Sequence, residues 1–220
     1  VNPLPGGDTS NPDDFVLVLD PGHGAGIDHN RGGVLFNEGD QNYYFSLKLL
    51  EKAAKYKNVT IKTTRSNIYA DPSLSERAAF GKDADLFLSL HTNAAPYYGP
   101  TAADIARTAS IRGVEVFSSH YSTNTKMGAE ISKMVSSLLP TPNRGLKFLQ
   151  YSGEITSYAI PNAKDYWGVF RYENNAKTKY LIEFVFHTNE TDSKLYLEKQ
   201  DQLAEELMKI IAKNYGLVLK

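Results

Sequence analysis

The run Phe15-Val-Leu-Val-Leu-Asp20-Pro21-Gly22-His23-Gly24 constrains this chain more than any other stretch. Contiguous Val and Leu read as a strand buried on both faces, the kind found in parallel or mixed sheets rather than in sheets with a wet face. Pro and Gly then force a tight turn that presents one imidazole at the strand's C-terminal end. In open α/β sheets, ligands bind in the crevice beyond the C-terminal ends of the strands.

The pattern recurs. Leu86-Phe-Leu-Ser-Leu90 is a second buried-strand candidate, followed at once by His91-Thr-Asn-Ala94. Between the two lies Glu38, where a loop gives way to a helical pattern. Each residue alone has an ordinary explanation, a solvated loop histidine or an acid serving a helix dipole. Together at matching element ends, two imidazoles and one carboxylate form a familiar ligand set for catalytic zinc, with a fourth position open to water or substrate.

The 220 residues suffice for one well-buried domain. A net charge of −1 gives no broad attraction to nucleic acid or to an anionic membrane, and neither is expected as a partner. No apolar run approaches the length needed to span a bilayer. Cysteine is absent, which excludes disulfides, thiol nucleophiles and thiolate metal sites while permitting export. Residues 1–13, with Pro3, Pro5, Gly6, Gly7 and Pro12, have the composition of a linker or processed segment, and residues 14–220 read as one folded domain.

Helical spacing of Tyr44, Leu47, Leu50 and Ala54 predicts a helix over 41–57, and Val59–Thr64 alternates as a half-buried strand. Ser73 and Glu76 form a capping box opening a helix that carries Arg77, Ala78 and Phe80. A strand at 114–117, a helix at 124–139, a strong strand at 180–186 and a helix at 193–214 complete the alternation. The expected fold is α/β, a single layered domain with a largely parallel, mixed central sheet flanked by helices. Residues 95–112 and 140–178 do not fit the alternation. Loops of that length in a compact domain are commonly functional, and 140–178 should hold one or two short strands or a hairpin near the site.

Glu183 interrupts the last strand between Leu181, Ile182, Phe184 and Val185. Glutamate is almost never buried without a partner. Apolar surroundings raise its proton affinity, which suits a general acid/base next to a metal.

Taken in order, these segments resemble the zinc-dependent N-acetylmuramoyl-L-alanine amidases, the amidase type 3 catalytic domain. The pieces are Leu19–Gly24, Glu38, Thr64-Arg65, Leu74-Ser-Glu-Arg77, Ala84–Ala94, Gly113–Phe117, Arg144-Gly-Leu-Lys147 and Leu181–Asn189, spanning residues 15–215. The resemblance implies His23, Glu38 and His91 as ligands of Zn2+ and Glu183 as the catalytic carboxylate. It implies hydrolysis of the amide between N-acetylmuramic acid and L-alanine in peptidoglycan, by an extracellular, monomeric enzyme of the cell wall. Tyr97, Tyr98, Tyr151, Tyr158 and Trp167 are candidate substrate contacts through ring stacking, and His187, just past the last strand, is another. Asp20, Asn93 and Glu115 are candidates to orient the ligand histidines. His29 and His120, in polar stretches, are expected in solvent.

The chain departs from the family pattern in its polar first loop, in Ala79-Phe80 after Arg77, and in Lys177-Thr-Lys-Tyr180 before the last strand. Two other functions compete. A zinc carboxypeptidase acting on peptide stems would need an arginine for the terminal carboxylate, with Arg65, Arg144 and Arg171 available. An inactive wall-binding module would have lost a ligand or Glu183, and all four are present.

Overall fold

The computed structural model describes residues 14–24, 30–96, 99 and 101–220. The linker assigned to residues 1–13, and His29, Tyr97 and Tyr98, lie outside the described residues.

A mixed sheet runs in the order β2-β1-β3-β7-β4-β5-β6. Its strands are β1 (Phe15–Pro21), β2 (Val59–Thr63), β3 (Leu86–Asn93), β4 (Val114–Ser118), β5 (Asn143–Leu149), β6 (Ile155–Thr156) and β7 (Thr178–Phe186). The pairs β1–β2, β1–β3, β3–β7 and β4–β5 are parallel; β4–β7 and β5–β6 are antiparallel. The central strands are continuous apolar runs because helices cover both faces. β2, near one edge, is only half-buried along its length, as its alternation implies.

One face packs α1 (Glu38–Ala53), α4 (Lys126–Leu138) and α6 (Glu190–Tyr215) against Leu17, Leu19, Leu86, Leu88, Ile182 and Phe184. The other face is thinner. There Val18, Phe87, Phe117 and Leu181 meet Val169 and Phe170 of α5 (Gly168–Arg171). α5 in turn contacts α2 (Leu74–Ala79). Glu183 shares this thinner face with Leu181, two residues away on β7.

Two expectations need correction. The buried stripe of α1 is Asn42, Phe45, Leu49 and Ala53, whereas Tyr44 and Leu47 are exposed. Lys52 of the same helix is buried and paired with Asp201 at 2.8 Å. Phe80 turns outward while Arg77 and Ala78 of the same helix go in. The Ser73–Glu76 capping box forms as read, each side chain bonding the other residue's backbone N–H. The segment 140–178 does carry a short antiparallel pair, β5 with β6. Residues 102–108 form α3 (Ala102–Thr108), capped by Thr101.

Candidate functional site

The turn after β1 places His23 with φ 60°, a left-handed conformation that histidine tolerates better than most side chains. Gly22 is required there by contact, because a Cβ at that position would lie 2.2 Å from the His91 ring. Arg77 braces the turn from below, donating to the Pro21 carbonyl (2.8 Å) and to the His23 carbonyl (2.7 Å). Asp20 in turn holds Arg77 at 2.9 Å and accepts from Thr64 Oγ1 and Ser89 Oγ. Arg65, fully buried, donates to the carbonyls of Gly39 (2.7 Å) and Ile68 (2.5 Å). It fixes the start of α1, where Glu38 sits, and is closed to any substrate carboxylate.

Three chain segments thus deliver three donors to one point. Glu38 Oε2 lies 3.1 Å from His23 Nε2, and Glu38 Oε1 lies 3.0 Å from His91 Nδ1. Oε1 also accepts from the Thr92 N–H at 3.0 Å and from the Asn42 amide. The ligand atoms of His23, Glu38 and His91 all fall within 4.8 Å of one another. Burial would push the Glu38 carboxyl up, but hydrogen bonds from His23 and His91, and their charge, outweigh it and hold the group well below the usual carboxylate range. A carboxylate bridging two imidazole nitrogens needs a proton at each contact, or one cation in place of both. The donor set therefore fits a divalent metal of borderline softness.

Glu183 stands beside this cluster. It is in register with His91 on the neighbouring parallel strand and with Glu115 on the antiparallel one. It is 7% exposed, and its Oε2 is buried without a hydrogen-bond partner among the described residues. Burial first, then the charges of Glu38 and Glu115, raise its pKa well above the ordinary value. Glu115 is itself compensated by Arg144 (3.0 Å), Lys147 (2.8 Å) and the Asn93 amide (3.1 Å).

A cavity of about 840 Å³ opens over these groups. His23, Glu38, His91 and Glu183 line its floor, and Tyr151, Tyr166, Trp167 and Arg171 line one wall. Tyr151 and Trp167, both expected near substrate, are therefore at the cavity, as is His187. His187 is almost fully buried, with Nδ1 facing the Thr92 carbonyl at 2.9 Å, and burial lowers its pKa despite the nearby Glu38 charge. Tyr158 is exposed and away from the cavity lining.

Asp20, Asn93 and Glu115, expected to orient the ligand histidines, have other partners. Asp20 supports Arg77 and the turn rather than an imidazole, and Asn93 and Glu115 bond each other. His120 is buried, not solvated: its Nδ1 accepts from the Ile160 N–H and its ring lies 5.6 Å from Phe148. The residue that sequence reasoning missed is Arg77 as the brace of the His23 turn. Its place in a capped helix after Ser73 was legible; its target was not.

A family model described as N-acetylmuramoyl-L-alanine amidase matches residues 17–213. Among solved structures, an N-acetylmuramoyl-L-alanine amidase from Clostridium difficile 630 superposes with a TM-score of 0.69 at 24% identity, covering 92% of this chain and 97% of that one. An N-acetylmuramyl-L-alanine amidase from Mycobacterium smegmatis gives 0.63 at 19% identity, over 94% and 99%. One from Nostoc punctiforme gives 0.61 at 18%, also over 94% and 99%. At these identities the structural likeness is one of fold, and the assignment rests on the family model. No curated protein matches the chain by sequence.

Proposed function

This chain belongs to the N-acetylmuramoyl-L-alanine amidase family, and from that premise we propose that His23, Glu38 and His91 hold one zinc ion beside Glu183. The reaction is hydrolysis of the amide joining the lactyl group of N-acetylmuramic acid to L-alanine in peptidoglycan. Zinc, when bound, would acidify water and polarise the scissile carbonyl. Glu183 takes the attacking water's proton and delivers it to the departing alanine nitrogen, giving a muramoyl carboxylate and a free alanine N-terminus. Its raised proton affinity suits both halves of that transfer.

The observation that carries this reading is the Glu183 carboxylate, buried with one oxygen unpartnered, facing the same cavity as three converging metal donors. Arg77 keeps the His23 turn in place, and the Thr92 N–H and Asn42 orient Glu38. Tyr151, Trp167 and His187 contact the glycan or stem from the cavity wall, while Tyr97 and Tyr98 remain candidates from the following loop. We further read the enzyme as a secreted monomer acting in the wall. Among the described residues no helix is long and apolar enough to cross a membrane.

The test is turbidity clearing of purified cell walls by the full chain, with and without a chelator, followed by analysis of new termini. Metal-dependent clearing with new alanine N-termini is expected. Cleavage of free stem peptides, with no new alanine N-termini from walls, would replace this reading with a carboxypeptidase.

A further inference from the structure

The seven arginines of this chain sort by partner. Arg77, Arg107, Arg112 and Arg144 are paired with Asp20, Asp104, Asp192 and Glu115. Arg65 is buried and donates to main-chain carbonyls. Arg31 and Arg171 are the two that line the catalytic cavity among the described residues. Arg31 is exposed, on the loop before α1. Arg171, half-buried at the end of α5, is held in place. Its Nη1 donates to the carbonyls of Tyr166 (2.6 Å) and Asp165 (3.3 Å), and its guanidinium lies over the rings of Tyr151 and Tyr172 at 4.7 and 5.2 Å. Beneath it, Val169 and Phe170 anchor α5 in the core. Stacking and carbonyl contacts fix a guanidinium without neutralising it. Among the described residues no acid forms an ion pair with Arg171, and its Nε and Nη2 have no hydrogen-bond acceptor.

The acids of the cavity lining are Glu38 and Glu183, one a proposed metal ligand and the other the proton carrier. Arg171 is thus a pre-oriented fork facing substrate space without a counter-ion, and such a fork suits a carboxylate. In unmodified peptidoglycan both sugars are neutral and the lactyl carboxyl is consumed in the scissile amide, so the fixed negative charges belong to the stem. The first beyond the scissile bond is on the second stem residue, a glutamate linked onward through its side chain. Its main-chain carboxyl is free or amidated. The Cα of that residue lies about 3.8 Å from the alanine Cα. A stem with its alanine nitrogen at Glu183 therefore carries this carboxylate within the same cavity of about 840 Å³ that Arg171 lines.

We propose that Arg171 receives the main-chain carboxylate of the second stem residue, so that the enzyme cleaves stems bearing it in preference to stems in which it is amidated. This rests on the amidase reading above and adds to it a specificity-determining residue. It also runs the stem along the α5 wall.

The test gives the full chain, loaded with zinc, two synthetic disaccharide tetrapeptides that differ only at the second stem residue, isoglutamate or isoglutamine. The isoglutamate substrate should have the higher kcat/KM by about tenfold, through KM, the scale of one charge-assisted hydrogen bond at a half-buried site. Raising the ionic strength to about 1 M, where the screening length is about 3 Å, should shrink that preference. Arg171→Gln should bring the ratio to about one, and Arg171→Lys should keep part of it, since the charge survives and the fork does not. A general loss from a disturbed wall cancels in the ratio, and the wild-type preference with its salt dependence needs no variant to fold. The two free product stems, used as competitors of wall clearing, should show the same order of affinity. Equal kcat/KM with wild type, or a preference that Arg171→Gln leaves intact, would overturn the assignment. So would a preference lost in Arg31→Gln and kept in Arg171→Gln, which would move the receptor to the loop before α1. If no new alanine N-termini arise from either substrate or from cell walls, the amidase reading itself falls; cleavage of both at one rate removes the role of Arg171 alone.

Discussion

Asp20 and Glu183 are both buried acids on central strands of one sheet, yet their surroundings are opposite. Asp20 has no exposure and accepts from Thr64, Ser89 and Arg77, so both oxygens are engaged and its charge is matched. Glu183 has an unpartnered oxygen, apolar neighbours on its own strand, and the charges of Glu38 and Glu115 nearby. The first arrangement builds a rigid floor that carries the His23 turn. The second leaves a proton acceptor strained by its setting, next to three converging donors. The contrast separates a buried charge that serves the fold from one that serves chemistry.

Four changes probe this contrast, beginning with the largest. Replacing both His23 and His91 by alanine should abolish stoichiometric metal binding and bring wall clearing to the uncatalysed background. Elemental analysis showing about one zinc per chain in the double variant would discard the ligand assignment. Next, Asp20→Ala should cost about 3–5 kcal/mol, because it takes the nearer carboxylate from the buried Arg77 guanidinium, leaving Asp71 at 3.6 Å, and strips the buried Thr64 and Ser89 hydroxyls of their acceptor. Urea denaturation measures it, and a loss below about 1 kcal/mol would mean that the floor is not held by this pair. Glu183→Gln should behave the opposite way, lowering kcat by about 10²-fold or more with zinc content unchanged. A glutamine enzyme clearing walls at the wild-type rate removes Glu183 from the mechanism.

Much of this contrast was legible in the sequence, because it is written at element ends. Apolar runs stopping at Asp20-Pro21-Gly22-His23 and at Leu90-His91 locate the sheet's functional edge, and a glutamate inside Leu181–Val185 cannot hide in such a strand. What could not be read depends on partners far away in the chain. The start of α1 eludes apolar periodicity because Glu38, Gly39 and Asn42, buried early in the helix, are held by polar contacts. His120 reads as solvated among serines, but Ser119 bonds Asp165, 46 residues on, and the strand end folds inward. Short strands are expected within 140–178, but the bounds of β5 escape because Gly145 (φ 80°) and polar Asn143, Arg144 and Lys147 break the alternation, leaving Phe148 as its only fully buried side chain. The double duty of Arg77, salt bridge and turn brace, is likewise a matter of tertiary distance.

The smallest effect is the most specific to Glu183. With its folded pKa raised by burial and by neighbouring carboxylates, the group binds a proton more tightly in the folded metal-free protein than in the unfolded chain. At a pH below the unfolded value, about 4.3, both states carry the proton and Glu183 contributes nothing to stability. As pH rises above it, the unfolded chain ionises while the folded protein stays protonated, so folding stability falls until the folded group ionises in turn. Glu183→Gln removes that slope. The metal-free variant should therefore match the wild type near pH 4 and become progressively more stable than it toward pH 8. Depression of the Glu38 pKa acts with the opposite sign, but it is common to both proteins and largely cancels in their difference. Denaturant midpoints of chelator-treated wild type and variant across this range give the answer. Parallel curves would show that Glu183 ionises as easily folded as unfolded, and the contrast with Asp20 would then be one of packing, not of proton affinity.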